Sequence, residues 1–130
     1  MNDMALRELI SSKSDRFYHW RPQIESALKR VSHSTFEDIV DGLLKVELLW
    51  FEVPDAFVVV QVVEHPQERE LHILLGGGSQ AGLEELEEQV SRFGREIGAA
   101  KLTMLCRRGF WRRIKSQGWK SPLQWIEKEL

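Results

Sequence analysis

The stretch HILLGGGSQAGLEELEEQ, residues 72–89, decides how this chain is read. An apolar run stops at Gly76, Gly77 and Gly78, and an acidic amphipathic segment begins at once. Glycines between a strand and a helix either make a tight turn or let the backbone approach a phosphate, which the free N–H groups of a helix's first turn attract. Beyond them Leu83, Leu86, Val90, Phe93 and Ile97 recur at helical spacing up to Gly98, which predicts a core-facing helix stopped by that glycine.

Toward the N-terminus the pattern changes to strands. ELHILL (70–75), AFVVVQVVEH (56–65) and VELLWFEV (46–53) are separated by HPQER and by Pro54-Asp55. Connections this short cannot carry crossovers, so the three predict an antiparallel meander. The second of them is almost continuously apolar and β-branched, as expected of a strand covered on both faces. Before the strands, STFEDIVDGLLK (34–45) combines capping-box spacing at Ser34 and Glu37 with an apolar stripe of Phe36, Ile39, Val40, Leu43 and Leu44. PQIESALKRV (22–31) and ALRELI (5–10) read as two short helices, with Pro22 in the first turn of its own.

Toward the C-terminus KLTMLC (101–106) predicts a strand parallel to ELHILL, because a helix lies between them. RRGFWRRIKSQGW (107–119) predicts a short basic helix ending at Gly118, and SPLQWIEKEL (121–130) a last strand. The fold class that follows is α/β (α+β): a mixed, mostly antiparallel central sheet with helices on both faces, one domain over residues 1–130.

Composition excludes several classes. With 42% hydrophobic and 29% charged residues the chain is of ordinary globular type. No apolar run approaches the roughly 20 residues that span a bilayer, and MNDMALRELI lacks the basic start and apolar core of a signal peptide. Cys106 is the single cysteine, so no intrachain disulfide is possible, and a reducing cytoplasmic setting is expected. Its phase with Leu102 and Met104 makes it a buried small hydrophobe. His19, His33, His65 and His72 show no metal-ligand spacing, so no metal is expected. The glycine run lacks the Lys-Ser/Thr ending of a P-loop, and no Gly-x-Ser-x-Gly element is present.

The net charge of −2 conceals an asymmetry. Acidic residues dominate from Glu64 to Glu96, whereas Lys101, Arg107, Arg108, Arg112, Arg113, Lys115 and Lys120 have no acidic residue among them. Such a split marks either the solvated faces of one domain or an anionic partner. The arginines and aromatics of 107–120 admit nucleic-acid binding as a weaker alternative, though Phe110 and Ile114 share a helical face that core packing explains.

The order of elements from residue 34 to 130 resembles the GCN5-related N-acetyltransferase (GNAT) superfamily, with GGGSQAG (76–82) standing where that family has its pyrophosphate loop. The Gly118-Trp119 pair followed by a terminal strand is similar to the family's C-terminal end. More narrowly, Arg107-Arg108-Gly109-Phe110-Trp111 and Glu127-Lys128-Glu129-Leu130 resemble elements of the small acetyltransferase-like proteins encoded by tailed bacteriophages and prophages. The resemblance implies acetyl-CoA as cofactor and an amine as acceptor. Leu75, Gly76, Gly77, Gly78, Ser79 and Gln80 would hold the pyrophosphate, and Arg107 or Arg108 the nucleotide phosphate. It also implies a location in the cytoplasm of a bacterial host or in a virion, with phage structural proteins as partners.

Two departures weaken the implied catalysis. No Gln or Arg opens the glycine stretch, and Ile114 stands where the family often has its general-acid tyrosine. Glu84, Glu85, Glu87 and Glu88 compete with a bound phosphate for the positive end of the helix. For deprotonating an amine, His72 and Glu70 alternate with Leu71 and Ile73 and share one strand face. His72 has the suitable pKa range, and Glu70 would need burial to raise its own. Glu64 and His65 read as turn residues. Two functions follow: a slow or atypical N-acetyltransferase, and a non-catalytic binding or assembly protein on the same fold.

Overall fold

The computed structural model describes residues 16–31, 34–106, 108–124 and 126–130. The helix expected at ALRELI lies outside them. A helical turn at residues 16–19 leads into α1 (Arg21–Val31). Phe17, Trp20, Ile24 and Leu28 recur at helical spacing and are all buried, so the apolar stripe begins before the helix expected from Pro22.

α2 spans Phe36–Leu44, and its capping box forms one residue later than Ser34 and Glu37 imply. Thr35 is the N-cap: its Oγ1 accepts from Asp38 N–H at 3.2 Å, and the Asp38 carboxylate accepts from Thr35 N–H at 2.9 Å. Starting there puts Phe36, Ile39 and Leu43 on one buried face.

Four strands follow: β1 (Leu49–Val53), β2 (Ala56–Glu64), β3 (Arg69–Gly78) and, after the long helix α3 (Gln80–Glu96), β4 (Lys101–Met104). They lie in the order β1-β2-β3-β4, antiparallel through β3 and parallel between β3 and β4. The mixed sheet with helices on both faces is therefore present. One core joins α1 and α2 to Phe57, Val59 and Leu75. The other joins Leu86 and Val90 of α3 to Val58, Val60, Leu71 and Ile73. Because β2 feeds both, Ala56 to Val60 are all buried, which is why its sequence lacks alternation. Of the stripe on α3, Leu86 and Val90 are fully buried, while Leu83, Phe93 and Ile97 are partly buried against the same core.

The register of β2 against β3 slips once. Val59 pairs with Leu75 and Val60 with Ile73, leaving Leu74 as an extra residue. The bulge reverses the alternation of β3. Ile73 packs on the α3 side and Leu75 on the α1 side, although both are odd-numbered.

Beyond β4 come α4 (Arg108–Ile114) and a 3₁₀ turn, Lys115–Gln117, that ends at Gly118 with φ 91°. The basic helix is thus shorter than its sequence suggests, while its stop is where the glycine puts it. The last strand expected over 121–130 is absent among the described residues: Leu123 and Ile126 are 87% and 82% exposed. Pro122 has no N–H to donate, and Leu123 and Ile126 fall on opposite faces of an extended chain. The neighbouring ladder is also short, since β4 ends at Met104 rather than at Cys106.

Candidate functional site

The site begins where two strands part. β3 pairs with β4 only from Glu70↔Lys101 to Ile73↔Met104. β3 then continues to Gly78 with β2 as its only strand partner among the described residues, while the chain after Met104 turns into α4. The fork between them holds a cleft of about 410 Å³. Its walls are apolar, including Leu83, Val90, Met104, Phe110, Ile114 and Trp119. Its polar groups are Gln80, Glu84, Glu87, Arg113 and Gln117. Ile114, buried and lining the cleft, leaves an apolar wall where the resemblance implies a tyrosine acid.

The three glycines are not a loop. They are the end of β3, paired as Val58↔Gly76, Phe57↔Gly77 and Ala56↔Gly78. What they accommodate is the chain itself. A Cβ at Gly77 would stand 3.0 Å from Phe57 Cε1 and 3.4 Å from Gln23 Cβ of α1. Gly78 has φ 117°, and a Cβ there would lie 2.2 Å from the Asp55 carbonyl oxygen. The question posed by residues 72–89 has a packing answer: β2 and the β1–β2 turn approach this end of β3 too closely for any side chain.

Only Ser79 separates β3 from α3, and it caps the helix. Its Oγ accepts from Gly82 N–H at 3.0 Å and donates to the Asp55 carboxylate. Ser79 N–H donates to the Asp55 carbonyl at 2.9 Å. The β1–β2 turn thereby sets a carboxylate at the positive end of α3. One turn on, Glu84 accepts from Gln80 and Gln117 at 3.3 and 3.5 Å. Among the remaining candidates for phosphate contact, Leu75 is buried in the core while also lining the cleft. Arg108 is exposed and does not line it, and Arg107 lies outside the described residues. Arg113 is the cation that reaches the cleft, three residues from Phe110 on the same face of α4.

Cys106 is exposed and lines the cleft instead of being buried in phase with Met104, because the strand that would have carried the phase has ended. Partial burial pushes its thiol above the ordinary range.

At the crotch of the fork a polar cluster gathers on the face of β3 opposite Leu71 and Ile73. Thr103 of β4 is the register partner of His72. Its Oγ1 donates to Glu70 Oε2 and lies 2.9 Å from His72 Nδ1. Glu70 Oε1 accepts from His65 Nε2 at 2.7 Å. The side chains of Glu70 and His72 are only 17% and 22% exposed. The hydrogen bonds from Thr103 and His65 hold the Glu70 carboxyl below its ordinary value, outweighing burial. Burial pushes His72 below the usual imidazole value, against the pull of Glu70. Glu70 is therefore an anchored carboxylate and not a base with a raised pKa, whereas His72 is neutral and carries the basicity of the pair.

Two members of this cluster were hidden in the sequence. Thr103 is the lone polar residue of LTML, out of phase with Leu102 and Met104, a signal that becomes informative once β4 is set beside β3. His65 sits in the turn that its sequence position implies, closed by His65 N–H to the Glu68 carbonyl at 2.8 Å. That turn also returns its ring to Glu70. Glu64 meets Arg69 at 2.6 Å. Among the described residues no group of His, Cys, Asp and Glu is arranged to hold a metal ion, and no helix is long and apolar enough to cross a membrane.

No protein-family model matches the chain, and no curated protein matches it in sequence. Solved structures do match. The ribosomal-protein-alanine N-acetyltransferase of Brucella melitensis biovar Abortus is similar over 88% of this chain and 93% of its own, with a TM-score of 0.63 and 12% identity. An aminoglycoside acetyltransferase from an uncultured soil metagenomic sample, solved with sisomicin, is similar over 92% of this chain and 90% of its own, with a TM-score of 0.61 and 12% identity. A GNAT family acetyltransferase of Staphylococcus aureus is similar over 100% and 95%, with a TM-score of 0.56 and 12% identity. The fold is that of the GNAT acetyltransferases; identities this low carry the fold and nothing finer.

Proposed function

We propose that this chain is a protein of acetyltransferase fold that keeps the cleft as a binding site and transfers acetyl groups from acetyl-CoA weakly or not at all. One observation carries the reading: the Asp55 carboxylate at the start of α3, hydrogen-bonded by the helix's own N-cap. Acetyl-CoA would set its diphosphate at that helix end, where the fold offers free N–H groups. Here a carboxylate already takes the favourable field, Glu84 and Glu87 follow along the cleft, and Arg113 is the one cation among its described lining residues. The residues present do not fit the diphosphate. The edge of β3 beyond Ile73, unpaired on the β4 side among the described residues, and the apolar walls suit an uncharged, elongated ligand or peptide segment instead. In the setting implied by the resemblance of Arg107–Trp111 and Glu127–Leu130, this is a binding or assembly role among phage structural proteins, in the host cytoplasm or in the virion.

The polar cluster favours a second reading, slow acetylation of an amine. His72, one register pair from the fork and just outside the cleft lining, would accept the proton that amine acylation releases. Thermal unfolding with added acetyl-CoA separates the two readings. A cofactor at 100 times its dissociation constant adds about 2.7 kcal/mol. Wild type is expected to show no such shift, and Asp55→Asn, which removes the charge and keeps a cap, is expected to gain one. Clear stabilisation of wild type by acetyl-CoA, with thiol release when amines are added, would refute the binding reading.

A further inference from the structure

We infer that Thr103 is a positioning residue that fixes His72 as its Nδ1–H tautomer, so that Nε2 is the free acceptor this site offers to the N–H or O–H of an amine or alcohol.

The argument is one of donors and acceptors. A carboxylate has no hydrogen to give, so the hydroxyl hydrogen of Thr103 goes to Glu70 Oε2. That leaves the Thr103 oxygen with lone pairs only, and its contact with His72 Nδ1 at 2.9 Å must be a hydrogen bond donated by the imidazole. A neutral imidazole carries one N–H, so Nε2 keeps its lone pair. It finds no hydrogen-bond partner among the described residues.

The polarity is enforced from the far side as well. His65 Nε2 lies 2.7 Å from Glu70 Oε1, and a carboxylate can only accept there, so both Glu70 oxygens are engaged by donors. Thr103 is held in place by the parallel register His72↔Thr103, and the next pair, Ile73↔Met104, is the last before the strands part. The relay therefore ends one residue short of the cleft, whose lining on β3 begins with Ile73 and Leu74 and includes neither His72 nor Glu70. The role given to Nε2 rests on the second reading above, in which a ligand amine meets this end of the cleft. The tautomer does not.

Nitrogen-15 spectra of the histidines in the full chain test the tautomer directly. At mildly alkaline pH wild-type His72 is expected to show a protonated Nδ1 and an unprotonated Nε2, the reverse of the form a free imidazole side chain prefers. Thr103→Val should move the ratio toward Nε2–H by several-fold to about tenfold, the range that one hydrogen bond contributes. Thr103→Ser should restore it. If Thr103→Val does not fold, Glu70→Leu serves: with no carboxylate to receive it, the Thr103 hydrogen can turn to Nδ1 and the Nε2–H form returns. An Nε2–H imidazole in wild type, or a ratio indifferent to Thr103→Val or to Glu70→Leu, overturns the assignment. Benzylamine titrated into the wild-type sample then tests the role. A perturbed Nε2 resonance supports an amine site, and an unperturbed one in an intact Nδ1–H ring removes the amine reading alone.

Discussion

The two halves of β3 are built on opposite principles. From Glu70 to Ile73 the strand is paired on both edges and carries side chains that bond across to β4. From Leu75 to Gly78 it is paired, among the described residues, with β2 alone and ends in residues with no side chains. The first half is specified by polar groups that satisfy one another. The second is specified by closeness, because Phe57, Asp55 and α1 occupy the space that side chains would need. Glycines beside a helix start are thus no sign of a ligand until the neighbouring strand has been placed.

Breaking the second half should cost most. Gly78→Val forces a β-branched residue to φ 117° with its Cβ 2.2 Å from the Asp55 carbonyl oxygen. Urea unfolding should show a loss of about 3 kcal/mol or more. Gly77→Val, whose Cβ would meet a ring edge and a side chain rather than backbone, should lose about 1–3 kcal/mol. Both losses are expected with no ligand present, which distinguishes packing glycines from a phosphate cradle. A Gly78→Val chain as stable as wild type would break the comparison.

Next in size is the join between the strand and α3. Ser79→Ala removes the acceptor for Gly82 N–H and the donor to Asp55. Its unfolding free energy should fall by about 1 kcal/mol, while the fold, followed by circular dichroism, stays intact. A loss within error would mean that Asp55 caps α3 unaided.

The smallest effect belongs to the first half of the strand and appears as a pH slope. His72 and Glu70 both have folded pKa values below their ordinary ones, so the unfolded chain binds more protons on acidification. His72 contributes stability above the usual imidazole value of 6.5, and this is lost as pH falls from there through its folded value. Glu70 does the same from 4.5 downward. Other groups in or next to the cluster are Thr103, His65 and Lys101, the last paired with Glu68 at 2.9 Å. His72→Gln should flatten the upper part of the slope and Glu70→Gln the lower part, read from unfolding midpoints between neutral and acid pH. An unchanged slope in His72→Gln would show that its burial does not govern its titration.

Most of this architecture could be read from local pattern. Phe36, Ile39 and Leu43 announce α2, and the stripe from Leu83 to Ile97 announces α3, because helical periodicity is complete within one segment. The site was legible only in part. His72 and Glu70 are visible as alternating polar residues, but their roles depend on Thr103, 31 and 33 residues away. Whether Gly76 to Gly78 form a loop or a strand was decided by pairing with β2, which no local signal carries. Cys106 departs from expectation because phase extrapolates only while the strand lasts, and β4 stops at Met104; the short ladder this leaves, with Pro122, also accounts for the missing strand over 121–130.

The extra residue at Leu74 has a geometric outcome for any molecule that enters the fork. Before it, even-numbered positions such as His72 face the α1 side; after it, Gly76 turns toward Val58 and Leu83 on the α3 side. The cleft is lined by Ala27 of α1 and by Val90 of α3, so its walls come from both faces of the sheet. A ligand there meets both layers of the fold, with Gln80, Glu84 and Glu87 of α3 along one wall and His72 just outside the lining.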